Sequence, residues 1–231
     1  MFAVASHPHT RKVSELTERE VVIGSLGLAG TLHLPASASA LVVFVHGSGS
    51  SRFSPRNRAA ANALNARSIA TLLFDLLTLD EEHERSNVFD IPLLAGRLVD
   101  VINWIDNDPE LARLRLGLFG ASTGAAAALV AAAHLGSRIG AVVSRGGRPD
   151  LADSALERVT APTLLIVGGL DYDVIELNEQ AFAHLSAPKA IEIVPGATHL
   201  FPEQGTLELA IAHAARWFKT HLESNVRAKI E

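Results

Sequence analysis

Apolar residues along this chain follow two rhythms. Short unbroken runs, led by Leu41-Val42-Val43-Phe44-Val45, alternate with longer stretches in which apolar residues recur every three or four positions. The unbroken runs suit strands buried on both faces, and the spaced ones suit helices with one buried stripe. Read this way, strands fall at Leu41–Val45, Ile69–Leu77, Arg115–Phe119, Ile139–Ser144, Thr163–Val167 and Ala190–Val194. Helices fall between and after them, over Arg56–Arg67, Ile91–Ile105, the Ala-rich stretch from Gly124, a short piece around Leu151–Val159, Val174–Leu185 and Leu207–Leu222. The second of these carries Leu94, Leu98, Val101, Ile102 and Ile105 on one stripe, with Pro109 just past its end. Six strand-then-helix alternations predict a mainly parallel sheet with helices on both faces, since right-handed crossovers allow little else.

Two further runs, Glu20–Ser25 and Leu28–Leu34, are broken by Gly24, Gly27 and Gly30 and read as an antiparallel pair at a sheet edge. Residues 1–17 mix polar, Pro and His residues with no period, which predicts a poorly ordered tail before a single domain over 18–231. Leu79–Asp90 is polar and charged and reads as a solvated connection, placed at a strand end where a lid could sit.

Chemistry is concentrated where the strand at Arg115–Phe119 runs into Gly120-Ala121-Ser122-Thr123-Gly124 and then, with no loop, into Ala125–Val130. A strand that becomes a helix within one residue strains that residue, and the positions two before and two after it must be very small. Gly120 and Gly124 occupy those positions, so Ser122 is lifted clear of the sheet at the positive end of a helix. This is a nucleophile elbow.

A serine hydroxyl needs a base, and the base needs an orienting acid. In open α/β sheets, site residues come from loops at the carboxyl ends of strands. Of ten histidines, His134, His184, His213 and His221 fall on predicted helices, His7 and His9 in the tail, His33 in an edge strand and His83 in the charged connection. His46 and His199 remain. His199 follows the last strand in Pro195-Gly196-Ala197-Thr198-His199 and is the candidate base. The candidate acid is Asp171, which follows Gly168-Gly169-Leu170 after a strand; Asp150 and Asp173 are the alternatives, Asp173 suiting a helix cap better. The acyl oxygen needs hydrogen-bond donors, and the Thr123 and Ser48 backbone N–H groups are the candidates, Ser48 lying in the His46-Gly47-Ser48-Gly49-Ser50 loop. His46 then reads as a residue that holds this loop. Arg52 and Arg56 follow the same loop, and Arg145 and Arg148 follow the strand after the elbow. They are candidates for binding a substrate carboxylate or phosphate, or else for bracing loops against Asp150 and Asp153.

Composition narrows the class. The chain of 231 residues, 48% hydrophobic, can fill one good-sized core, and its net charge of −5 gives no reason to expect nucleic acid or an acidic membrane as partner. With no cysteine there is no disulfide, thiol nucleophile or cysteine metal site. No His/Asp/Glu cluster has ligand spacing, so no metal or organic cofactor is expected. The N-terminal residues lack a signal-peptide pattern and no apolar run approaches the ~20 residues of a membrane helix, so a cytoplasmic location is expected. Trp217 and Phe218 on the last helix could support a homodimer, although such a stripe more often faces the core.

The order Ser122, Asp171, His199, with His-Gly-Ser-Gly after the third strand and Gly-Ala-Thr-His near the end, resembles the α/β-hydrolase superfamily over about residues 18–222. Short length and a minimal cap look most like its dienelactone-hydrolase-like branch and small carboxylesterases. The resemblance implies an eight-stranded sheet of order 1-2-4-3-5-6-7-8 and ester hydrolysis through an acyl-serine. The name-giving dienelactone hydrolases use a cysteine nucleophile that this chain lacks, so simple esters with short acyl groups are the expected small-molecule substrates. Acyl transfer or perhydrolysis on the same triad, and a catalytically silent binding module on the same fold, are the competing readings.

Overall fold

The computed structural model describes residues 16–223. They form one eight-stranded sheet of order β1-β2-β4-β3-β5-β6-β7-β8. β1 (Leu16–Ile23) and β2 (Leu28–Pro35) make the antiparallel edge, joined by a tight turn at Gly24 and Gly27. β2 also runs antiparallel to β4 (Ala70–Phe74), and every later pairing is parallel. β3 (Ala40–Val45) and β6 (Ile139–Arg145) flank β5 (Arg115–Ala121), and β7 (Thr163–Gly168) and β8 (Lys189–Val194) complete the sheet. The expected eight strands and their order are present, and the strand run expected at Ile69–Leu77 is shorter at both ends. β1 begins at Leu16, within the stretch expected to be a tail; the rest of that stretch, 1–15, lies outside the described residues.

Helices cover both faces. α1 (Pro55–Asn65) and α6 (Thr206–Leu222) pack on one face, around Ala60, Ala61, Leu64, Phe119, Ala214 and Phe218. On the other face lie α3 (Ile91–Asp106), α4 (Thr123–Leu135) and α5 (Tyr172–His184), with single turns of 3₁₀ helix over Pro149–Arg158. α4 is apolar all round because it is enclosed between the sheet, α3 and the 149–158 segment, and its run of alanines lets those elements come close. Phe119 stacks on Phe44 with ring centroids 4.9 Å apart and meets Phe218 of α6 at 6.5 Å, fixing α6 beneath the middle of the sheet. Phe218 is fully buried, and the Trp217 indole N–H donates to the Pro162 carbonyl at 3.3 Å. Phe218 thus belongs to the core, and the partly buried Trp217 packs against it.

The 79–90 connection, expected as an irregular loop, contains α2 (Leu79–Glu82) and a 3₁₀ turn at Asn87–Phe89. The cause is local. The Thr78 hydroxyl accepts from the Glu81 N–H at 3.3 Å, while the Glu81 carboxylate accepts from the Thr78 N–H at 2.9 Å, a reciprocal cap that nucleates the turn. Arg97 pairs with the same carboxylate and ties the connection to α3; the Thr78 N–H, and to a smaller degree Arg97, holds the Glu81 carboxyl below its ordinary range. Among the described residues no helix is long and apolar enough to cross a membrane. Between β6 and β7 the chain adds only the 149–158 turns, so no inserted domain covers the carboxyl edge of the sheet there.

Candidate active site

Ser122 sits between the end of β5 and the start of α4 with φ 52° and ψ −126°, a conformation that an L-residue adopts only under constraint. The constraint comes from its neighbours. A Cβ on Gly120 would stand 2.8 Å from the Ala125 nitrogen, and one on Gly124 would run into the carbonyl oxygens of Val45 and His46. Both contacts are with backbone and cannot be relieved by a rotamer change, so the elbow exists only with glycine at these two places.

The base and acid arrive on loops that hydrogen-bond to each other. The Gly169 N–H donates to the Val194 carbonyl at 2.8 Å and the Leu170 N–H to the Ala197 carbonyl at 2.9 Å, closing the loop after β7 onto the loop after β8. Asp171 is the cap residue of α5, yet its carboxylate caps nothing; it accepts from His199 Nδ1 at 2.7 Å. A proton held on Nδ1 by a carboxylate leaves Nε2 as a free base. Asp173 lies in the first turn of α5, and Asp150 is engaged by Arg148. Thr198 is braced by Glu203, which accepts from its N–H at 3.1 Å and its hydroxyl at 2.6 Å. Phe201, at φ 55°, anchors the loop in the core.

Ser122 and His199 line one cleft of about 350 Å³, together with Gly47–Ser50, Ser54, Arg56, Asn57, Ala121, Arg145, Gly146 and Leu200. A second, more apolar cleft of about 390 Å³ lies across the Gly47–Ser50 loop, against Leu76, Leu77, Val88 and Leu94. Thr123 opens α4, where the first N–H groups have no partner within the helix. The Ser48 N–H donates to the Thr123 hydroxyl at 3.0 Å, so that hydroxyl draws the loop onto the helix end and already occupies one of the two expected oxyanion donors.

His46 holds this loop from below. Its Nδ1–H donates to the Gly47 carbonyl at 3.0 Å, and its Nε2 accepts from the Leu76 N–H at 3.2 Å. Only the neutral ring can do both, and burial lowers its pKa from the ordinary 6.5 against smaller opposing effects of the Gly47 carbonyl, Asp75 and Glu82. As pH falls through 6.5, the unfolded chain takes up a proton that the folded chain refuses, so stability drops with falling pH. His221 shifts in the same direction through burial. His46→Leu should be less stable than wild type at pH 7.5, by about 1–3 kcal/mol, because the Leu76 N–H is left without its acceptor and the Gly47 carbonyl without its donor. It should also lose less stability than wild type between pH 7.5 and 5.5, as urea denaturation at the two pH values will read.

The arginines divide. Arg52, expected near the substrate, is turned away: Asp75 accepts from both its backbone N–H and its guanidinium, and Glu20 stands 3.7 Å off. Arg148 makes a two-pronged pair with Asp150 at 2.9 and 2.7 Å, and that hydrogen bonding raises its pKa. Both guanidiniums are taken by carboxylates, and neither lines the cleft of Ser122. Arg145 and Arg56 do line it. Asn57 went unnoticed in the sequence; it is buried on α1, and its side-chain carbonyl accepts from Arg145 at 3.3 Å. A lone amide on an otherwise Ala-rich helix face was the available signal.

The model of the dienelactone hydrolase family matches residues 62–222. The crystal structure of a dienelactone hydrolase from Anabaena variabilis is 50% identical, with a TM-score of 0.87, covering 90% of this chain and 99% of that one. Est1E from Butyrivibrio proteoclasticus shares the fold at 16% identity and TM-score 0.73, over 87% of this chain and 98% of its own. Two Mycobacterium tuberculosis proteins, from strains CDC 1551 and H37Rv and provisionally named phosphoribosyl transferases, are each 56% identical over 205 residues, 89% of this chain and 46% of theirs. The chain thus spans about half the length of the curated relatives it matches.

Proposed function

The chain belongs to the dienelactone hydrolase family, and we propose that within it the protein is a serine hydrolase cleaving small carboxylic esters. The observation that carries this reading is one cleft lined by both Ser122, strained into an elbow, and His199, whose Nδ1 is held by Asp171. Ser122 Oγ attacks the ester carbonyl and gives its proton to His199 Nε2, and the imidazolium that forms is stabilised by Asp171. Negative charge on the carbonyl oxygen meets the Thr123 N–H, with the Ser48 N–H turning from the Thr123 hydroxyl to join it. His199 then protonates the departing alcohol, leaving an acyl-serine. Water attacks this, losing its proton to His199, and the carboxylic acid and free serine are released.

The absence of an inserted domain over the sheet edge favours short acyl groups in an open cleft, with the neighbouring apolar cleft available to the ester's alkyl part. The phosphoribosyl transferase name borne by the mycobacterial relatives covers chains of which more than half lies outside the match, and the matched half is the hydrolase fold. A panel of p-nitrophenyl esters tests the proposal. Turnover should be fastest for acetate or butyrate, decline toward octanoate, and fall to background with His199→Ala. No turnover of any ester would refute it.

A further inference from the structure

Asn178 lies on α5, about two helical turns beyond Asp171 and so on the same face of the helix. It is fully buried, and of the thirteen residues of α5 only Asn178 and Ala181 are. Apolar packing therefore holds the helix that carries the acid only lightly. The Asn178 side-chain nitrogen donates to the Gly147 carbonyl at 3.0 Å and to the Val174 carbonyl at 2.8 Å, while its Oδ1 is buried with no partner. The Val174 bond reaches back along the helix. The Gly147 bond crosses to the loop after β6, 31 residues away in the chain. A buried amide with an idle oxygen is an unfavourable way to fill space. What this one supplies, and an apolar side chain could not, is the bond to Gly147.

The loop it reaches is in contact with both the nucleophile and the base. The Arg148 N–H donates to the Ser122 carbonyl at 3.0 Å, a second hold on the strained residue beside the Ala125 N–H at 3.1 Å. Gly146, at φ 49°, lies so close to the base's loop that a Cβ there would stand 2.8 Å from the His199 carbonyl oxygen. A Cβ on Gly147 would run into the Ser144 hydroxyl and come 2.6 Å from the Ala125 Cβ of α4. Gly146–Arg148 is thus wedged between the nucleophile's helix and the base's loop. Two bonds fix it there, the Gly146 N–H donating to the Ile166 carbonyl of β7 at 2.8 Å and the Gly147 carbonyl accepting from Asn178. The acid and base loops bond to each other, and this third loop ties them to Ser122.

We propose that Asn178 is a positioning residue for the catalytic step: it fastens the helix that begins at Asp171 to the loop that holds Ser122, and so sets the reach from Ser122 Oγ to His199 Nε2. This rests on the hydrolase reading above. Fully buried, Asn178 touches no substrate and acts through Gly147 and Arg148. A displacement of about 1 Å between reacting groups costs about 10²-fold in rate, so a modest slip of this loop is enough to matter.

The test uses methyl butyrate, whose poor leaving group makes acylation the slow step, so that kcat reports proton transfer from Ser122 to His199 and KM reports binding. In Asn178→Ser the hydroxyl can bond back to the Val174 carbonyl but is too short to cross to Gly147, so only the crossing bond is lost. Per folded protein, kcat should fall by about 10- to 100-fold, with KM within about threefold of wild type. Should that variant fail to fold, Asn178→Leu, which keeps the volume and removes both bonds, should show the same split. A kcat per folded protein within about threefold of wild type, whatever the loss of thermal stability, overturns the proposal, as does a rise in KM at unchanged kcat. In those cases wild-type turnover of methyl butyrate and fluorophosphonate labelling of Ser122 would persist and leave the hydrolase reading standing. Absence of both turnover and labelling in the wild type would overturn both.

Discussion

Ser122→Ala should lower kcat on short-chain esters by about 10⁴- to 10⁶-fold, the loss expected when a nucleophile acting with its base is removed. Purified variant and wild type compared on p-nitrophenyl acetate will show it. Alanine at 122 keeps the backbone at φ 52° and ψ −126°, so the strain remains while the chemistry goes. Ser122→Gly removes both. Strain of this kind amounts to about 1–3 kcal/mol, and the extra freedom of glycine in the unfolded chain takes back about 0.5–1. Ser122→Gly should therefore be more stable than Ser122→Ala by about 1 kcal/mol in urea denaturation. Equal stabilities would mean that the elbow is not strained, and that the serine stands where it does for some other reason.

Gly124→Ala should destabilise the fold by about 3 kcal/mol or more, enough for much of the protein to be insoluble. The added carbon meets the carbonyl oxygens of Val45 and His46 and comes within 2.8 Å of the His46 carbonyl carbon, so only a backbone shift can make room. That shift would move the end of β3 and the start of the Gly47–Ser50 loop, so any soluble fraction should also be catalytically impaired. Gly96→Ala is the contrasting substitution. Gly96 is exposed within α3, and a Cβ there meets nothing within 4 Å, so alanine should stabilise by about 0.5–1 kcal/mol through helix propensity alone. Thermal and urea denaturation of the two variants, side by side, separate steric collision from loss of backbone freedom.

How far the sequence revealed the site depends on the range over which each demand acts. The elbow was legible because its requirement is local: Gly120, Ser122 and Gly124 answer to a bend made within five residues. Asp171 and His199 were placed by the rule that such residues follow strands, and the structure brings them to 2.7 Å because the loops after β7 and β8 bond to one another. The helices were off by a residue or two at their ends, where caps such as Ser54 decide the start of α1 and Asp90 that of α3. The turn at Leu79–Glu82 was missed although Thr78 and Glu81 have capping-box spacing, because the charges around them suggested a solvated loop.

The arginines show where reading the chain stops. Arg52 and Arg145 both follow strands near the sheet's carboxyl edge, and nothing adjacent in sequence tells them apart. Arg52 is neutralised by Asp75, 23 residues away, because the end of β4 lies beside the loop after β3. Arg145 faces α1 and the Phe201 ring, and neither supplies a carboxylate. That difference comes from strand order and helix packing. Only the three-dimensional structure carries it.

The central claim is that His199 activates Ser122. The direct measurement is the rate at which a fluorophosphonate probe labels the protein, with the adduct located by peptide mass spectrometry. Wild-type protein should carry one adduct, on Ser122, and His199→Ala should be labelled slower by about 10²-fold or more. Labelling at another residue, no labelling, or an unchanged rate in His199→Ala would contradict the account.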